Sequence, residues 1–317
     1  MNRSLLQRPM LYLAAVAALA SPAGAQQPTD LVWGRVELVK TGTIERRGLT
    51  ESSALVRSAT EPGVFWTIED SGNSATLHAM DSAGRELGRV RVDGAENHDW
   101  EALAMGPCGA EQCIHIGDVG DNLGLLGART VYRVRDSAAI AQLGLRDGDP
   151  GAADSPGRVP AERLDFRYDS GRPDVEAMVV TSDGAIHLIT KGRRAGIRLF
   201  RIAPGAWEHT GRALAALVDS LHIPPVTSRD RVTDAALAPD GTLAVRTGRT
   251  LYLFWMDPAS GELASPAPEL ACNLTGANEP QGEAVAWMGD DRWLLTSEDR
   301  GAPITQVRCR RPAVSPR

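Results

Sequence analysis

Acidic side chains stand at the start of five short apolar runs, and these carboxylates are the residues best placed to do chemistry. The acids are Glu51, Asp99 with Glu101, Asp174 with Glu176, Asp234, and Glu283. Each run is followed about ten residues later by a second strand-like run. Self-similarity at a period of tens of residues indicates a repeat architecture. We therefore expect the repeated acids to gather at equivalent positions of one fold.

Carboxylates gathered around one axis repel each other, and a bound cation lowers that cost. Oxygen ligands without histidine or cysteine favour Ca²⁺ over zinc. We predict a calcium site with the ligands Glu51, Asp99, Glu101, Glu176, Asp234 and Glu283. The alternative is that each acid caps its own repeat by accepting backbone N–H groups, because every copy then needs the same acid for packing.

A second set of charged residues ends the second run of each repeat. Its members are Glu69–Asp70, Asp118 with Asp121, Lys191, Arg246 and Glu298–Asp299. Antiparallel neighbours place the start of one strand beside the end of the next, so both sets are expected at one mouth. Lys191 and Arg246 break the acidic pattern. We predict that they hold an anionic substrate, with Glu101 and Glu176 as the other catalytic residues. Alternatively, both cations pair with surplus acids.

The elements that position these residues are strands. Most segments are four to eight residues long, rich in β-branched or aromatic residues and bounded by Gly, Asp and Pro, which is typical of strands. Each repeat divides into four of them. The outermost strands of the third and fourth repeats are predicted at Trp207–Arg212 and Leu263–Leu270. Repeated four-stranded units predict an all-β fold, a single β-propeller.

The last repeat has only three strands before the chain ends, and an orphan strand at Gly34–Val39 has no repeat of its own. We predict that this N-terminal strand closes the propeller by completing the last blade, which removes an exposed edge. The count is then five four-stranded blades within residues 26–311. Six blades remain the alternative if Asp136–Pro160, which its Gly, Pro and Asp content favours as a loop, forms an irregular blade.

The chain ends predict export. Arg3 and Arg8 precede an apolar run, Met10–Ala20, and Ala23–Ala25 fits the small-residue cleavage rule, so residues 1–25 are a predicted signal peptide. The run is too short to span a bilayer, and no membrane insertion is expected. Residues 312–317 form a C-terminal tail. We expect a monomer in the periplasm or secreted from the cell.

Composition limits the classes of binding partner and predicts the redox state of the cysteines. The net charge of −6 argues against nucleic acid and anionic membranes. Four cysteines in an oxidising compartment are expected to pair. Cys108 and Cys113 are close enough in sequence for a local disulfide bond. That pairing leaves Cys272 to pair with Cys309. Metal binding by the cysteines is the alternative, although no histidine cluster accompanies them.

Several phrases carry a resemblance to a known family. They are Glu69–Gly72, Asp99–Ala102, Gly117–Asn122 and Asp174–Ala177. Across nearly the whole mature chain, these phrases resemble a group of exported bacterial β-propeller proteins. More loosely, the chain is similar to phytase-like and gluconolactonase-like propellers. That resemblance implies Ca²⁺ at the channel mouth and hydrolysis of phosphoesters or lactones.

Two functional hypotheses follow. The first is a calcium-dependent hydrolase of a small anionic ester, phosphoester or lactone. The second is a non-catalytic propeller that binds a protein, peptide or glycan at the same mouth, with Trp66, Trp100 or Trp287 in contact with the ligand. Carboxylates that converge around an open position favour the first, and acids engaged by neighbouring backbone favour the second.

Overall fold

The computed structural model describes residues 31–45, 49–121, 129–145, 155–192, 196–223 and 230–313. The predicted signal peptide and most of the predicted C-terminal tail lie outside these residues. Within the described ranges the chain is all-β, with one short α-helix, α1 (Asp136–Ala141), and brief 3-10 turns. None of the helices in these ranges has the length and apolarity needed to cross a membrane.

Strands occupy most of the described chain. In order they are β1 (Arg35–Thr43), β2 (Ala54–Arg57), β3 (Phe65–Ile68), β4 (Thr76–Met80), β5 (Glu86–Asp93), β6 (Trp100–Cys108), β7 (Glu111–Asp118), β8 (Arg129–Arg135), β9 (Gly157–Pro160), β10 (Glu162–Tyr168) and β11 (Val175–Val180). They continue with β12 (Ile186–Thr190), β13 (Ile197–Ile202), β14 (Ala213–Leu221), β15 (Val232–Leu237), β16 (Thr242–Thr247), β17 (Thr250–Trp255), β18 (Leu270–Asn273), β19 (Gln281–Gly289), β20 (Arg292–Glu298) and β21 (Pro303–Arg310).

Most strands pair with the next strand along the chain in antiparallel meanders. Strands β2 to β5 form one meander, β11 to β14 another, and β15 to β18 a third. A further meander contains β6, β7, β8 and β10, and its outer strand β10 pairs in parallel with β14. The remaining one contains β19, β20 and β21, and β1 adds to it as the antiparallel partner of β21.

The first strands of the meanders form a ring. In order, β2 contacts β6, β6 contacts β11, β11 contacts β15, β15 contacts β19, and β19 returns to β2. Four-stranded sheets radiating from such a ring are the arrangement of a β-propeller. Residues from the C-terminal ends of all five inner strands line one cavity, so these strands run in the same direction around the axis.

The core lies between the meanders. Five buried apolar clusters each join residues of one meander to residues of the next. In one, Trp66 of β3 packs in the same cluster as Leu103 of β6. In another, Leu55 of β2 and Phe65 of β3 share a cluster with Leu294 of β20 and Ile304 of β21. Apolar burial therefore joins the last meander to the first.

Two predicted outer strands are wrong in position. Trp207–Arg212 contains a 3-10 turn, Ala206–Glu208, and the strand β14 begins after it. Gly205, before this segment, and Gly211, within it, have positive φ values of 75° and 103°, which an extended strand does not allow. Leu263–Leu270 contributes only its last residue to β18, because Pro266 and Pro268 lack the N–H that a ladder needs.

The segment Asp136–Pro160 is more ordered than a loop where it is described. It begins with α1 and ends with β9, which pairs in parallel with the outer strand β5. Asp136 is fully buried and accepts hydrogen bonds from the Ser58 hydroxyl (2.8 Å) and the Trp66 Nε1 (2.9 Å). Its carboxylate therefore fixes α1 against the first meander. Residues 146–154 lie outside the described residues.

Both predicted disulfides are confirmed. Cys108 and Cys113 are joined across the β6–β7 turn, and Cys272 is joined to Cys309, with a Cα–Cα distance of 5.8 Å in each pair. The second bridge connects β18 to β21 and so ties two neighbouring meanders. The metal-binding alternative for the cysteines is excluded, because all four sulfurs are consumed.

Candidate functional site

The inner strands begin at one end of the ring, and we call this end the acidic mouth. The predicted acids at or just before these starts are Glu51, Asp99, Glu101, Glu176, Asp234 and Glu283. The structure brings most of them into electrostatic contact and buries Asp234 separately. Each position follows from the repeat, because equivalent residues of parallel inner strands face the same end of the axis.

Glu176 and Lys191 form an ion pair at the centre of the mouth. The Lys191 Nζ lies 2.6 Å from Glu176 Oε1, and the Glu176 side chain is only 4% exposed. Glu176 is on β11 and Lys191 directly follows its antiparallel partner β12, as expected from the sequence. Burial raises the pKa of Glu176 to about 7, although the lysine opposes the rise. Burial also disfavours the charge on Lys191, yet Glu176 raises its pKa above the ordinary value.

Glu101 lies beside this pair. It is buried, and burial followed by the charges of Glu176 and Asp99 holds its pKa well above the ordinary value. Asp99 and Glu101 both pack against Gly120, where a Cβ atom would lie 2.4 Å from Asp99 Oδ2 and 2.8 Å from Glu101 Cγ. The absence of a side chain at Gly120 therefore leaves room for the side chains of Asp99 and Glu101 to lie close to each other. Burial and Asp174 raise the pKa of Asp99 as well.

Asp70 and Glu298 extend the acidic mouth beyond the predicted ligands. Burial raises the pKa of Asp70 to about 7, followed by a hydrogen bond with Glu51. Burial and then Glu51 also raise the pKa of Glu298. Asn73 donates its Nδ2 hydrogen to Glu51 Oε2 at 3.0 Å. The sequence places both acids at the ends of second strands, and the structure shows that they share the electrostatic environment of the first-strand acids.

Glu283 opens onto a cleft of about 680 Å³ beside the channel. The cleft is also lined by Glu176, Lys191, Arg231 and Arg249. Burial, followed by the charge of Glu298, raises the pKa of Glu283 to about 8. The Gln281 Nε2 donates to Glu283 Oε1 at 2.8 Å. Carboxyl and cationic groups therefore line the same space, which is large enough for a small organic ligand.

Arg231 and Arg249 are the residues that the sequence reasoning missed. Arg231 directly precedes β15, and Arg249 lies in the turn between β16 and β17. Neither belongs to the repeated acid pattern, which marks the starts of first strands and the ends of second strands.

Asp234 is placed as a structural acid. It is fully buried, and its two oxygens accept the backbone N–H groups of Ala235 (2.8 Å) and Val285 (2.9 Å). Burial raises its pKa well above the ordinary value, and the backbone donors oppose the rise. These contacts link β15 to β19 and match the capping alternative at this position.

Arg246 does not reach the open mouth, and the expectation that it holds a substrate requires correction. It is fully buried, and its Nη1 donates to the carbonyl oxygens of Thr296 (2.8 Å) and Ala284. Its Nη2 forms an ion pair with Glu279. The guanidinium therefore fastens β16 to the last meander, because the small residues of β19 leave room for it beneath the surface.

A network of buried groups supports the rim beside β6. Arg129 and Asp121 form a buried ion pair, and the Asp121 N–H donates to Asp174 Oδ1 at 2.9 Å. Asp118 accepts the Asp99 N–H at 2.8 Å. Its other oxygen lies 2.9 Å from His98 Nδ1, and His98 is exposed. These contacts hold the segments that carry Asp99.

The geometry at the mouth does not by itself form a closed metal cage. Among the described residues, no group of three or more His, Cys, Asp or Glu side chains is arranged to hold a metal ion. The donor set nevertheless has the chemistry that Ca²⁺ prefers, since carboxyl oxygens predominate and neither histidine nor cysteine is present among the proposed ligands. Calcium binding here would need some of these side chains to close around the ion.

Two of the three tryptophans expected to contact a ligand are structural. Trp66 and Trp100 are fully buried, and the Trp100 Nε1 donates to the Glu96 carbonyl at 2.9 Å. Trp287 lies near the C-terminal end of β19, at the opposite end of the ring from the acidic mouth. The aromatic contacts of the binding hypothesis are therefore wrong for Trp66 and Trp100, and Trp287 does not line the predicted mouth.

Comparisons with known proteins give only distant likenesses. No protein-family model and no curated protein sequence matches the chain. Among solved structures, the PQQ-bound aldose sugar dehydrogenase of Streptomyces coelicolor aligns with a TM-score of 0.45 and 14% identity, covering 89% of this chain and 100% of that one. The gluconolactonase XC5397 of Xanthomonas campestris aligns with a TM-score of 0.44 and 13% identity, covering 91% and 99%. At this level they indicate nothing about the reaction.

Proposed function

We propose that the sheets form a five-bladed propeller closed by β1. The closed order of contacts among the inner strands supports the count. The antiparallel pairing of β1 with β21, from Arg35 opposite Arg310 to Thr43 opposite Pro303, supports the closure. Under this proposal the acidic mouth is one end of a channel shared by all the blades.

We propose further that the protein is an exported, calcium-dependent hydrolase of a small anionic ester, phosphoester or lactone. The observation that carries this proposal is the placement of Glu176, Glu283 and Lys191 in one cleft with Arg231 and Arg249. Cations beside carboxylates match an anionic substrate that is attacked by an activated water. Because Arg246 is buried, we assign binding of the anion to Arg231 and Arg249 instead, which are half-buried and exposed respectively.

The proposed calcium ligands are Glu51, Asp99, Glu101, Glu176 and Glu283. When bound, Ca²⁺ would polarise the substrate and favour deprotonation of water. Glu101 and Glu176 are buried neighbours, and the pKa of Glu176, at about 7, is matched to proton transfer near neutral pH. Lys191 holds Glu176 in position through their ion pair. Arg231 and Arg249 would bind the anionic group of the substrate.

Export is supported by the covalent structure. Both disulfides form, and such bonds persist in oxidising compartments such as the periplasm and the extracellular space. The predicted signal peptide at residues 1–25 gives the same destination. N-terminal sequencing of the protein recovered from a periplasmic fraction is expected to begin at Gln26.

Turnover of a panel of phosphoesters and lactones, with calcium or with a chelator, tests the proposed activity. We expect hydrolysis that depends on Ca²⁺. Glu101→Gln or Glu176→Gln should lower kcat by about 10²-fold or more, as is usual when a general base is lost. Arg249→Gln should raise KM. Arg212→Gln is the matched control, because Arg212 is exposed and directly precedes β14, the outer strand of the β11–β14 meander.

An absence of turnover across the panel, with and without Ca²⁺, would overturn the hydrolase proposal. Equal effects of Arg249→Gln and Arg212→Gln on KM would remove Arg249 from the substrate site. Binding of a glycan or peptide at the mouth without turnover would favour the non-catalytic alternative.

A further inference from the structure

A second cavity lies at the end of the ring opposite the acidic mouth. Its volume is about 480 Å³, within the range of cavities that bind small molecules. All five inner strands contribute residues from their C-terminal ends, including Val56, Met105, Val180, Leu237 and Trp287. We call it the apolar mouth.

Most side chains that line the apolar mouth are aliphatic, thioether or aromatic, and the polar ones are Arg57, Ser58, Gln112, Thr181 and Ser182. Its depth comes from small residues, since Ala104, Ala236 and Ala286 occupy inner-strand positions that would otherwise carry larger side chains. Met105, Leu237 and Trp287 remain partly exposed around these alanines. Apolar surface left accessible in a concave site favours an apolar ligand, because binding removes that surface from water.

Arg57 is the single charged residue among the described residues that line this cavity. Its guanidinium carbon lies 5.9 Å from the centroid of the Trp287 ring. The Nε donates to the Pro62 carbonyl at 2.9 Å, and Nη1 donates to the Met288 carbonyl at 3.0 Å. These contacts fix the guanidinium at the rim of the cavity, where it remains partly exposed.

Two acids near this rim, Asp136 and Asp183, are engaged by other groups. Asp136 accepts hydrogen bonds from the Ser58 hydroxyl and from the N–H groups of Ala59 (2.9 Å) and Thr60 (2.7 Å). Asp183 accepts the Ala185 N–H at 2.9 Å and pairs with Arg201 at 3.2 Å. Neither acid is among the lining residues, so Arg57 supplies the one formal charge among the described residues that line the cavity.

We propose that the apolar mouth binds a small apolar molecule that carries one carboxylate. The apolar part of this ligand would occupy the space above the alanines, and its carboxylate would accept hydrogen bonds from Arg57 at the rim. This site is separate from the proposed hydrolase cleft, in which several acids surround the cations. The two ends of the channel therefore select ligands of different chemistry.

Isothermal titration of the unmodified protein with octanoate, octanol and octylamine tests the proposal. These probes share an apolar chain and differ in charge. We expect octanoate to bind about tenfold more tightly than octanol, as is typical for one charge-assisted hydrogen bond, and octylamine to bind most weakly. Equal affinities for octanoate and octanol, or no binding by either, would overturn the proposal.

Substitutions locate the site. Arg57→Gln should abolish the preference for octanoate over octanol, and Ala236→Leu should weaken both ligands by filling the cavity. Arg133→Gln is the matched control, because Arg133 also lies over a tryptophan, with its guanidinium carbon 4.1 Å from the Trp207 ring centroid and outside the cavity. Unchanged octanoate binding in both Arg57→Gln and Ala236→Leu would contradict this location.

Sedimentation at high protein concentration tests the competing occupant, a second copy of the chain. We expect a monomer with or without octanoate. A dimer that octanoate fails to dissociate, and that Ala236→Leu disrupts, would show that the apolar mouth is an interface between copies and would overturn the small-molecule proposal.

Discussion

At the scale of single residues, the same repeated acid has two different roles. Glu101 and Glu176 are buried beside other carboxyls and Lys191, and their surroundings raise their pKa values. Asp234 occupies the equivalent place in its own repeat but accepts two backbone N–H groups. The role of each acid is therefore set by the hydrogen-bond donors around it, which the repeat pattern alone does not specify.

Replacement of Asp234 by alanine should destabilise the fold. The variant leaves the buried N–H groups of Ala235 and Val285 without their acceptor, which should cost roughly 3 kcal/mol of unfolding free energy. Asp240→Ala is the control, since Asp240 also accepts a backbone N–H, that of Thr242 at 2.9 Å, but is exposed. Urea unfolding measures both. A stable Asp234→Ala variant that has lost calcium affinity would instead make Asp234 a ligand.

His187 gives a prediction for acid stability. It is fully buried, and burial followed by the charge of Arg201 lowers its pKa to about 4. Because the ordinary value is 6.5, the unfolded chain takes up a proton first as the pH falls. The contribution of neutral His187 to the free energy of unfolding is complete above pH 6.5. It declines as the pH falls towards 4, by about 3 kcal/mol in total.

Urea unfolding at pH 7 and pH 4.5 should therefore show a smaller acid loss for His187→Gln than for the parent. His222 is exposed and supplies the control variant His222→Gln. This variant should lose as much unfolding free energy between pH 7 and pH 4.5 as the parent does. His115 is also buried, with a pKa lowered to about 4, and remains in both variants, so part of the acid dependence persists. Identical profiles for the two variants would refute the role of His187.

At the scale of elements, inner strands were predictable and outer strands were less so. The inner strands sit between apolar neighbours, so hydrophobic runs mark them clearly, as at β11 (Val175–Val180). Outer strands are half-exposed, and glycine or proline decides their limits. Gly211 delays β14, and Pro266 with Pro268 delays β18. Tertiary pairing therefore overrode the local strand signals at Trp207–Arg212 and Leu263–Leu270.

The two disulfides should differ in their contribution to stability. The Cys272–Cys309 bridge closes a sequence separation of 37 residues, and the Cys108–Cys113 bridge closes one of 5. The chain-entropy estimate gives about 4 kcal/mol for the first and about 2 kcal/mol for the second. Serine replacement of each pair, followed by thermal unfolding in oxidising buffer, should lower Tm more for Cys272–Cys309. Equal losses, or a larger loss for the short bridge, would contradict the estimate.

At the scale of the whole molecule, the repeat predicted that acids gather at one mouth but left the ligand contacts undetermined. Lys191 lies where the pairing of β11 with β12 requires, beside Glu176. Arg246 follows the same rule of position, yet the small residues of β19 let it turn beneath the surface. Arg231 and Arg249 lie outside the repeated positions, so only the folded chain brings them to the cleft. The apolar mouth likewise depends on five separated strand ends.

We propose that the acidic mouth binds Ca²⁺ through Glu101, Glu176 and the neighbouring acids. Calcium ligands must be deprotonated, and the pKa of Glu176 is about 7, so binding near neutral pH should release protons. Calorimetric titration with CaCl₂ in two buffers of different protonation enthalpy measures both binding and proton release. Glu37→Gln is the control variant, because Glu37 is exposed on β1.

We predict saturable Ca²⁺ binding with net proton release in the parent and in Glu37→Gln, and loss of both in the double variant Glu101→Gln with Glu176→Gln. The absence of binding heat in the parent in both buffers, or the same heat and proton release in the double variant, would contradict calcium binding at the acidic mouth.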